Sequence, residues 1–307
     1  MITWVVGAGG LLGSAVTRRS AEPFAGSVVP WTEPEAAARV LREDAARFFT
    51  EAEGTPWSIV WAAGSATVSA TAEQTAVELQ SFRALCEAVR EASPAARGAF
   101  FVTSSAGGVY AGSTNPPFDI ATLPRPVSPY GELKLAQEAV AVETLIATCP
   151  VVIGRFSNIY GRGQNLDKLQ GLISRLALSA ATAKPINIFV SLDTIRDYVY
   201  VDDAARATLS LLNAALVDQA PSVRTAIVAS GEPTTIGQLI RTVNQVTKRK
   251  VPVALGSHAS ASAQVADLRL VPYDNALART PLPAGVRRVY LDILERLQDR
   301  PLVALSG

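Results

Sequence analysis

The amino-acid sequence predicts an α/β protein built on a doubly wound parallel sheet, with a smaller mixed α/β region towards the C-terminus. Short apolar runs alternate with longer helical segments through the N-terminal half, a pattern typical of parallel strands joined by crossover helices. A glycine-rich turn follows the first apolar run directly. A chain of 307 residues with 49% hydrophobic residues is also large and apolar enough to bury a sizeable core.

Five apolar runs predict the strands of this sheet, and four longer segments predict the helices that join them. The strands are expected at residues 2–6, 27–30, 58–62, 99–103 and 151–156. The segments between them are rich in Ala, Leu, Glu and Arg, which favour helices, and they are long enough to cross back over a sheet. These helices are expected at residues 12–21, 35–51, 73–91 and 130–147.

The pattern becomes less regular after about residue 160. An amphipathic stretch at 166–181 and a helix at 201–215 alternate with strands at 186–190 and 225–229. We therefore predict two parts. Residues 1–160 form the sheet domain, which also receives segments near 186–230, whereas residues 161–185 and 231–307 form the smaller region.

Composition argues against several kinds of function. Lys and Arg number 28 and Asp and Glu 27, so the net charge of +1 provides no long-range field to attract nucleic acid or an anionic membrane. One histidine and two cysteines are too few for a multidentate metal site or a disulfide framework. Gly, Pro, Ser and Thr interrupt every uncharged stretch before the ~20 apolar residues of a membrane span. Because no basic leader precedes the first strand, we expect a cytoplasmic protein.

The glycine-rich turn after the first strand is the first sign of chemistry. It runs Gly7-Ala8-Gly9-Gly10-Leu11-Leu12-Gly13 and opens a predicted helix. Glycine permits a tight turn and lets backbone N–H groups approach a pyrophosphate at a helix N-terminus, where the helix dipole favours negative charge. The turn therefore predicts a dinucleotide site of the Rossmann type, and an ordinary strand-to-helix turn is the alternative.

Tyr130 and Lys134 form the second sign. They lie four residues apart on a predicted helix and therefore share one face. An ammonium ~4 Å from a phenol stabilises the phenolate by ~4 kcal/mol at an effective dielectric constant of about 20. The pair is thus suited to acid–base chemistry, and the alternative is an unrelated Tyr and Lys on an exposed helix.

Hydroxyl side chains end the fourth predicted strand, in the sequence Thr103-Ser104-Ser105. Open parallel sheets bind their ligands at the carboxyl edge, where a serine hydroxyl is able to hold a substrate oxygen. Serines in such loops also cap local backbone groups, which is the alternative for each of them.

In this order and spacing, the glycine turn, the strand-end serines and Tyr-x-x-x-Lys resemble the extended short-chain dehydrogenase/reductase family, the NAD-dependent epimerase/dehydratase group. Two further segments look like motifs of that family: Arg155-Phe156-Ser157-Asn158-Ile159-Tyr160-Gly161 and Arg196-Asp197-Tyr198-Val199-Tyr200-Val201-Asp202-Asp203. The likeness covers most of the chain. It implies that residues 1–160 bind NAD or NADP and that the smaller region binds the substrate.

The resemblance also implies roles for individual residues. Ser105, Tyr130 and Lys134 would be catalytic, with Tyr130 as the acid–base and Lys134 on the nicotinamide ribose. Contacts to the cofactor would come from Tyr130 and Lys134, from Gly7, Gly10, Leu11, Leu12 and Gly13, and from Ala62, Ala63 and Gly64. Contacts to the substrate would come from Ser104, Ser105, Asn158 and Arg196. Arg196 is equally suited to an ion pair with Asp197 or Asp203.

Three departures from the family pattern bear on cofactor and substrate. The segment Val28-Val29-Pro30-Trp31-Thr32, with which the predicted second strand ends, offers no acidic side chain for the ribose 2′-hydroxyl of NAD. This opens NADP, with Arg18 and Arg19 as candidates for a 2′-phosphate. Ser105-Ala106-Gly107-Gly108 stands where the family's dehydratases carry an acidic pair, which argues against dehydration. Gln264 stands where a second diphosphate-binding arginine would be expected.

We therefore expect an NAD(P)-dependent nucleotide-sugar epimerase that transfers hydride reversibly at a sugar carbon. An NADPH-dependent nucleotide-sugar 4-ketoreductase would use the same residues. A catalytically silent dinucleotide-binding sensor or scaffold is an alternative of another class. The resemblance also implies a homodimer formed through the helix that carries Tyr130. We expect no metal, no nucleic-acid partner and no membrane association.

Overall fold

Six strands form one sheet in which every neighbouring pair is parallel. They are β1 (Ile2–Val6), β2 (Glu22–Phe24), β3 (Trp57–Trp61), β4 (Gly98–Ser105), β5 (Val151–Phe156) and β10 (Val223–Val228). Across the sheet their order is β10-β5-β4-β3-β1-β2. The computed structural model that gives this arrangement describes residues 1–64, 66–67, 69–92, 94–166, 171–217, 222–256, 265–274 and 279–299.

Helices cover both faces of the sheet. One face carries α1 (Leu11–Arg19) and α7 (Val201–Val217), and the other carries α2 (Pro34–Glu51), α3 (Ala72–Ala92) and α5 (Pro129–Leu145). A short helix, α4 (Ala106–Val109), follows β4 directly. Within the residues described, no helix is both long and apolar enough to cross a bilayer.

The central strands β1, β3, β4 and β5 are mostly apolar because both of their faces are covered. Successive side chains of a strand point to opposite faces. Trp57, Ile59 and Trp61 of β3 accordingly pack under α2 and α3, while Val60 packs in the core on the other face. Trp61 meets Phe82 of α3 edge to face, with ring centres 5.0 Å apart. This packing holds the carboxyl ends of the central strands in fixed positions.

A smaller region lies beyond the carboxyl edge of the sheet. It contains α6 (Leu172–Thr182), α8 (Ile236–Thr247) and α9 (Leu282–Asp299), which pack on one another. Its paired strands are β6 (Asn158–Tyr160) with β9 (Tyr198–Tyr200), β7 (Ile186–Ile188) with β12 (Val253–Leu255), and β8 (Ile195–Arg196) with β11 (Thr234–Thr235).

The doubly wound parallel fold is confirmed, with two local differences. The predicted second strand at 27–30 is wrong, since Val28 is 94% exposed and the strand at this edge is β2. Only Phe24 of β2 reaches the core, where it packs against Trp4 and Phe48, so the strand has little apolar pattern to reveal it. The strand predicted at 186–190 is β7, which pairs with β12 and not with the central sheet.

The apolar residues of α5 are relevant to the expected homodimer. Leu133, Val140 and Leu145 are all buried within this chain. They therefore serve the fold of the single chain, and the homodimer stays a prediction. Gln264 lies outside the described residues.

Candidate active site

The turn after β1 requires glycine at two positions. Gly7 has a φ of +94°, and a Cβ atom there would lie 2.6 Å from the backbone nitrogen of Ala63. A Cβ atom on Gly13 would collide with the carbonyl oxygen of Gly7. The N–H of Gly10 donates to that same oxygen at 2.9 Å and closes the turn. Glycine thus allows α1 to pack closely on the end of β1.

A cavity of about 310 Å³ lies at the carboxyl ends of β1 and β3, and we term it the glycine crevice. It is lined by Gly7, Gly9, Gly10, Trp31, Ala62, Ala63, Gly64, Gln74, Val77, Glu78 and Ser81. Because β2 and β3 lie on opposite sides of β1, the direction of winding reverses here, which is where open α/β sheets bind dinucleotides. Gly7 and Gly10 therefore meet the small residues after β3 at one crevice.

The N-terminus of α1 opens beside the glycine crevice. Gly10 is its N-cap residue, and the described part of the chain supplies no side-chain cap for it. The first N–H groups of a helix have no intrahelical acceptor and carry the positive end of the dipole, so they suit a phosphate group. Leu11 and Leu12 provide such N–H groups. The Leu12 side chain packs in the core, and Gly13 contributes close packing without lining the crevice.

Ser128 sets the start of α5 and so the position of the predicted catalytic pair. Its Oγ accepts a hydrogen bond from the N–H of Gly131 at 3.2 Å, and Pro129 occupies the first helical position. Tyr130 therefore lies in the first turn and Lys134 one turn later. The Lys134 ammonium is 5.6 Å from the centre of the Tyr130 ring, so the expected shared face is present.

A second cavity, of about 510 Å³, contains the Tyr130 side chain, and we term it the tyrosine cavity. Of the predicted site residues, it is lined by Leu11, Ser104, Ser105, Tyr130, Asn158 and Arg196. Gly10 lines the glycine crevice and its neighbour Leu11 lines the tyrosine cavity. The two cavities therefore adjoin at the start of α1, with Tyr130 on the side of the larger one.

The two serines at the end of β4 differ in what they contact. Ser104 is 3% exposed, and its Oγ donates to Oε1 of Glu138 at 2.5 Å. Ser105 is the N-cap residue of α4, where its Oγ accepts from the N–H of Gly108 at 3.1 Å. That bond leaves the O–H of Ser105 as a donor. The geometry thus favours Ser105 over Ser104 as the partner of a substrate oxygen.

Glu138 connects Ser104 to a buried polar network beside the tyrosine cavity. Arg155 donates to both oxygens of Glu138, at 3.0 and 2.7 Å, and to the hydroxyl of Tyr110 at 2.8 Å. Burial raises the pKa of Tyr110, and the neighbouring guanidinium opposes that rise. This two-point ion pair ties β4, β5 and α5 together where the catalytic pair is held.

Arg196 is the one formally charged residue among the described residues that line the tyrosine cavity. Its Nη1 donates to the carbonyl oxygens of Ile195 at 2.9 Å and Val265 at 2.7 Å, which fix the guanidinium. Burial lowers the pKa of Arg196. Asn158 lies on the same wall, and its amide donates to the carbonyl oxygen of Asp197 at 2.9 Å.

The two carboxylates considered as ion-pair partners for Arg196 contact other groups. Asp197 accepts hydrogen bonds from the N–H and the Oγ of Ser230, both at 2.8 Å. Burial raises the pKa of Asp197, and these hydrogen bonds oppose the rise. Asp203 pairs with Arg206 at 2.5 Å. Both carboxylates thus have partners of their own, and Arg196 lines the cavity wall.

Six of the residues that line the glycine crevice do not appear among the predicted site residues: Gly9, Trp31, Gln74, Val77, Glu78 and Ser81. Trp31 lines the crevice and packs edge to face on Trp61, with ring centres 5.9 Å apart. Glu78 lines it from α3 and is buried. One signal for Glu78 was available, because it precedes Phe82 and Leu85 on one helical face, where a charge is unexpected.

Comparison with curated proteins gives partial matches. The chain is 34% identical over 124 residues to dTDP-L-rhamnose 4-epimerase of Burkholderia thailandensis, covering 40% of this chain and 33% of that protein. It is 26% identical over 178 residues to dTDP-4-dehydro-6-deoxyglucose reductase of Escherichia coli, covering 55% of this chain and 52% of that protein. The matches thus span about a third to a half of these relatives.

Solved structures share the fold over nearly the whole chain. The UDP-glucose 4-epimerase of Thermotoga maritima, solved with UDP-glucose, superposes with a TM-score of 0.78 at 19% identity, covering 97% of this chain and 100% of that one. RMD of Pseudomonas aeruginosa, complexed with NADPH, superposes with a TM-score of 0.75 at 21% identity, covering 96% and 99%. The sequence profile that matches residues 3–223 is that of the NAD dependent epimerase/dehydratase family, and this chain belongs to that family.

Proposed function

We propose that this chain is an NAD(P)-dependent nucleotide-sugar epimerase that works by reversible hydride transfer at a sugar carbon. The observation that carries the proposal is the position of Tyr130, in a cavity that adjoins the glycine crevice. A tyrosine at such a junction is placed to move a proton while hydride passes between substrate and cofactor. The dTDP-L-rhamnose 4-epimerase relative supports this reaction class.

The residues around the glycine crevice fit a dinucleotide. A Cβ atom on Gly10 would lie 3.3 Å from the carbonyl oxygen of Gly7, so the glycines keep this cradle open. The N–H groups of Leu11 and Leu12 would hold the pyrophosphate. A nicotinamide cofactor bound in this crevice would supply the reversible hydride acceptor that the reaction needs. The small residues beside the adenosine would be Ala62, Ala63 and Gly64.

The catalytic residues of this chain would handle the proton and the oxygen. Tyr130, as a phenolate, takes the proton of the sugar hydroxyl as its carbon is oxidised, and gives it back when that carbon is reduced. The ammonium of Lys134 stabilises the phenolate. The O–H of Ser105 holds the oxygen as it becomes a carbonyl. Rotation of the ketone in the tyrosine cavity before reduction on the other face would give the epimer.

Arg196 is the basis for proposing a nucleotide sugar as substrate. It is the charged group of the described cavity lining, and a guanidinium recognises a diphosphate through paired, charge-assisted hydrogen bonds. Asn158, on the same wall, would contribute an amide. A diphosphate would offer this guanidinium acceptors of opposite charge, which a neutral sugar lacks.

The end of β2 favours a second candidate function, an NADPH-dependent nucleotide-sugar 4-ketoreductase. No acidic residue follows β2 up to Thr32, and Asp44, a buried carboxylate that contacts this loop, is already engaged. Asp44 accepts hydrogen bonds from the N–H and the Oγ of Ser27 at 2.6 and 2.7 Å. A ribose 2′-phosphate would therefore meet no opposing carboxylate there. The reductase relative from Escherichia coli is consistent with this candidate.

One experiment separates the candidates. The purified protein is denatured, the released nucleotide is identified, and UDP-, dTDP- and GDP-sugars are then supplied with NAD or NADPH. Retained NAD and conversion without net redox change support the epimerase. Stoichiometric consumption of NADPH supports the ketoreductase. Cofactor binding without turnover of any of these sugars would contradict both and leave a silent dinucleotide-binding protein.

A further inference from the structure

Glu78 is a buried carboxylate on the wall of the glycine crevice, and it is paired with Lys134. It is 7% exposed, and its Oε1 lies 3.3 Å from Nζ of Lys134. The same oxygen accepts from Nε2 of Gln137 at 3.2 Å, while Oε2 accepts from the N–H of Ala66 at 3.2 Å. Nζ of Lys134 also donates to Oε1 of Gln137 at 2.9 Å. An ion pair thus links α3 to α5 beside the crevice.

Packing alone does not account for a carboxylate at this point. One turn later on the same face of α3, Phe82 and Leu85 are completely buried apolar residues. A buried ion pair is often no more stable than apolar residues of the same volume, because both charges lose water. The crevice also makes room for this side chain, since a Cβ atom on Gly64 would lie 2.9 Å from Oε1 of Glu78.

The pair also limits what Lys134 is able to contact. An ammonium has three N–H donors, and Glu78 and Gln137 take two of them. Both acceptors are buried side chains, so the ammonium is held within the protein on that side. Glu78 and Gln137 therefore hold the ammonium at one position next to the Tyr130 ring.

Strand β4 and helix α4 carry no charged residue. Glu138 of α5 is paired with Arg155 of β5. Burial raises the pKa of Cys86 in α3 and of Tyr110 after α4, so both remain protonated. Glu78 is thus the carboxylate that opposes the charge of the catalytic lysine.

We propose that Glu78 is a positioning residue for the reaction: it holds the ammonium of Lys134 and offsets its charge, and thereby sets the pH at which Tyr130 loses its proton. The effect of Glu78 on turnover rests on the proposed function, whereas its effect on the ionisation of Tyr130 does not. Removal of the carboxylate leaves the ammonium charge unopposed, which favours the phenolate. Tyr130 should then ionise at lower pH.

The test is a spectrophotometric pH titration of phenolate absorbance in the cofactor-free protein. The signal of Tyr130 is isolated by subtracting the curve of the Tyr130→Phe variant in the same background. In Glu78→Gln, the midpoint should fall by on the order of one pH unit. Glu132→Gln is the matched control, because Glu132 is an exposed carboxylate in the same turn of α5 as Tyr130. In this variant the midpoint of Tyr130 should stay at the native value.

A second background tests whether Glu78 acts through the lysine. In the Lys134→Met background, a buried carboxylate that has lost its ammonium partner should take up a proton and become neutral, so the further change Glu78→Gln should no longer move the midpoint. A shift of the same size there would overturn the positioning role. An unchanged midpoint in folded Glu78→Gln protein would also overturn it. If that variant does not fold, as judged by circular dichroism, Glu78→Asn removes the same charge in less volume and is titrated in its place.

Turnover provides an independent readout. If the chain converts a nucleotide sugar, the acidic limb of the kcat/KM profile should move to lower pH by the same amount in Glu78→Gln, and Glu78→Asp, which keeps the charge, should restore the native profile. A shifted titration without turnover of any sugar would support Glu78 and contradict the proposed function. Turnover with an unshifted titration would contradict Glu78 alone.

Discussion

The ring of Tyr130 packs directly on the backbone of Gly108. A Cβ atom on Gly108 would lie 3.0 Å from Cε1 of the tyrosine, closer than real Cβ contacts normally come. The preceding residue differs, because a Cβ atom on Gly107 would lie 3.5 Å from Leu268, which is an ordinary contact. Both glycines line the tyrosine cavity, yet only Gly108 determines where the phenol lies.

This difference predicts opposite outcomes for two alanine substitutions. Gly108→Ala should displace the Tyr130 ring and lower kcat by about 10- to 100-fold, because small misplacements of a catalytic group are costly. Gly107→Ala should stay within about twofold of the native rate. Steady-state kinetics on the sugar that the chain converts would measure both. Equal rates for the two variants would show that the contact does not position the phenol.

Tyr130→Phe removes one hydroxyl and leaves the ring in place. We expect turnover to fall by at least about 100-fold, since the proton of the substrate would have no acceptor. Cofactor affinity should remain near the native value, because the glycine crevice is unchanged. Isothermal titration with NAD and NADPH measures the affinity, and product formation measures the rate. An active Tyr130→Phe variant would remove this residue from the mechanism.

Alanine substitutions at Gly10 and Gly13 should change different properties: cofactor binding in the first variant and stability in the second. A Cβ atom on Gly10 is tight against Gly7 but adjoins the crevice, so Gly10→Ala should weaken cofactor binding with little change in the free energy of unfolding. Gly13→Ala would force α1 away from Gly7 and should lower that free energy by about 1–3 kcal/mol. Urea denaturation and cofactor titration test the pair. Equal losses of stability would show that both glycines serve only the turn.

The buried pair of Glu138 and Arg155 should be important for stability. Glu138→Gln leaves the guanidinium without its carboxylate and should lower the free energy of unfolding by about 3–5 kcal/mol. Glu91→Gln is the control, because Glu91 is 66% exposed and 3.9 Å from Arg90. Its effect should be within about 0.5 kcal/mol. Chemical denaturation of both variants measures the difference, and similar losses would contradict a special role for the buried pair.

Features of this protein that depend on neighbouring residues in the chain were predictable from its amino-acid sequence. The apolar runs identified five of the six strands of the sheet, because strands covered on both faces are apolar throughout. The glycine turn and the Tyr130–Lys134 spacing were also predictable, since a turn and one helical repeat determine them. The second strand was not, because a three-residue edge strand with one buried side chain carries almost no pattern.

Only the tertiary structure decided which groups meet across the chain. Glu78 and Lys134 are 56 residues apart, and packing of α3 on α5 brings their charges together. Ser104 and Ser105 are adjacent in sequence, yet the alternation of a strand sends one hydroxyl to Glu138 and leaves the other at the helix start. Burial and ion pairing depend on residues that are distant in the sequence and meet only on folding, so no short stretch of the chain predicts them.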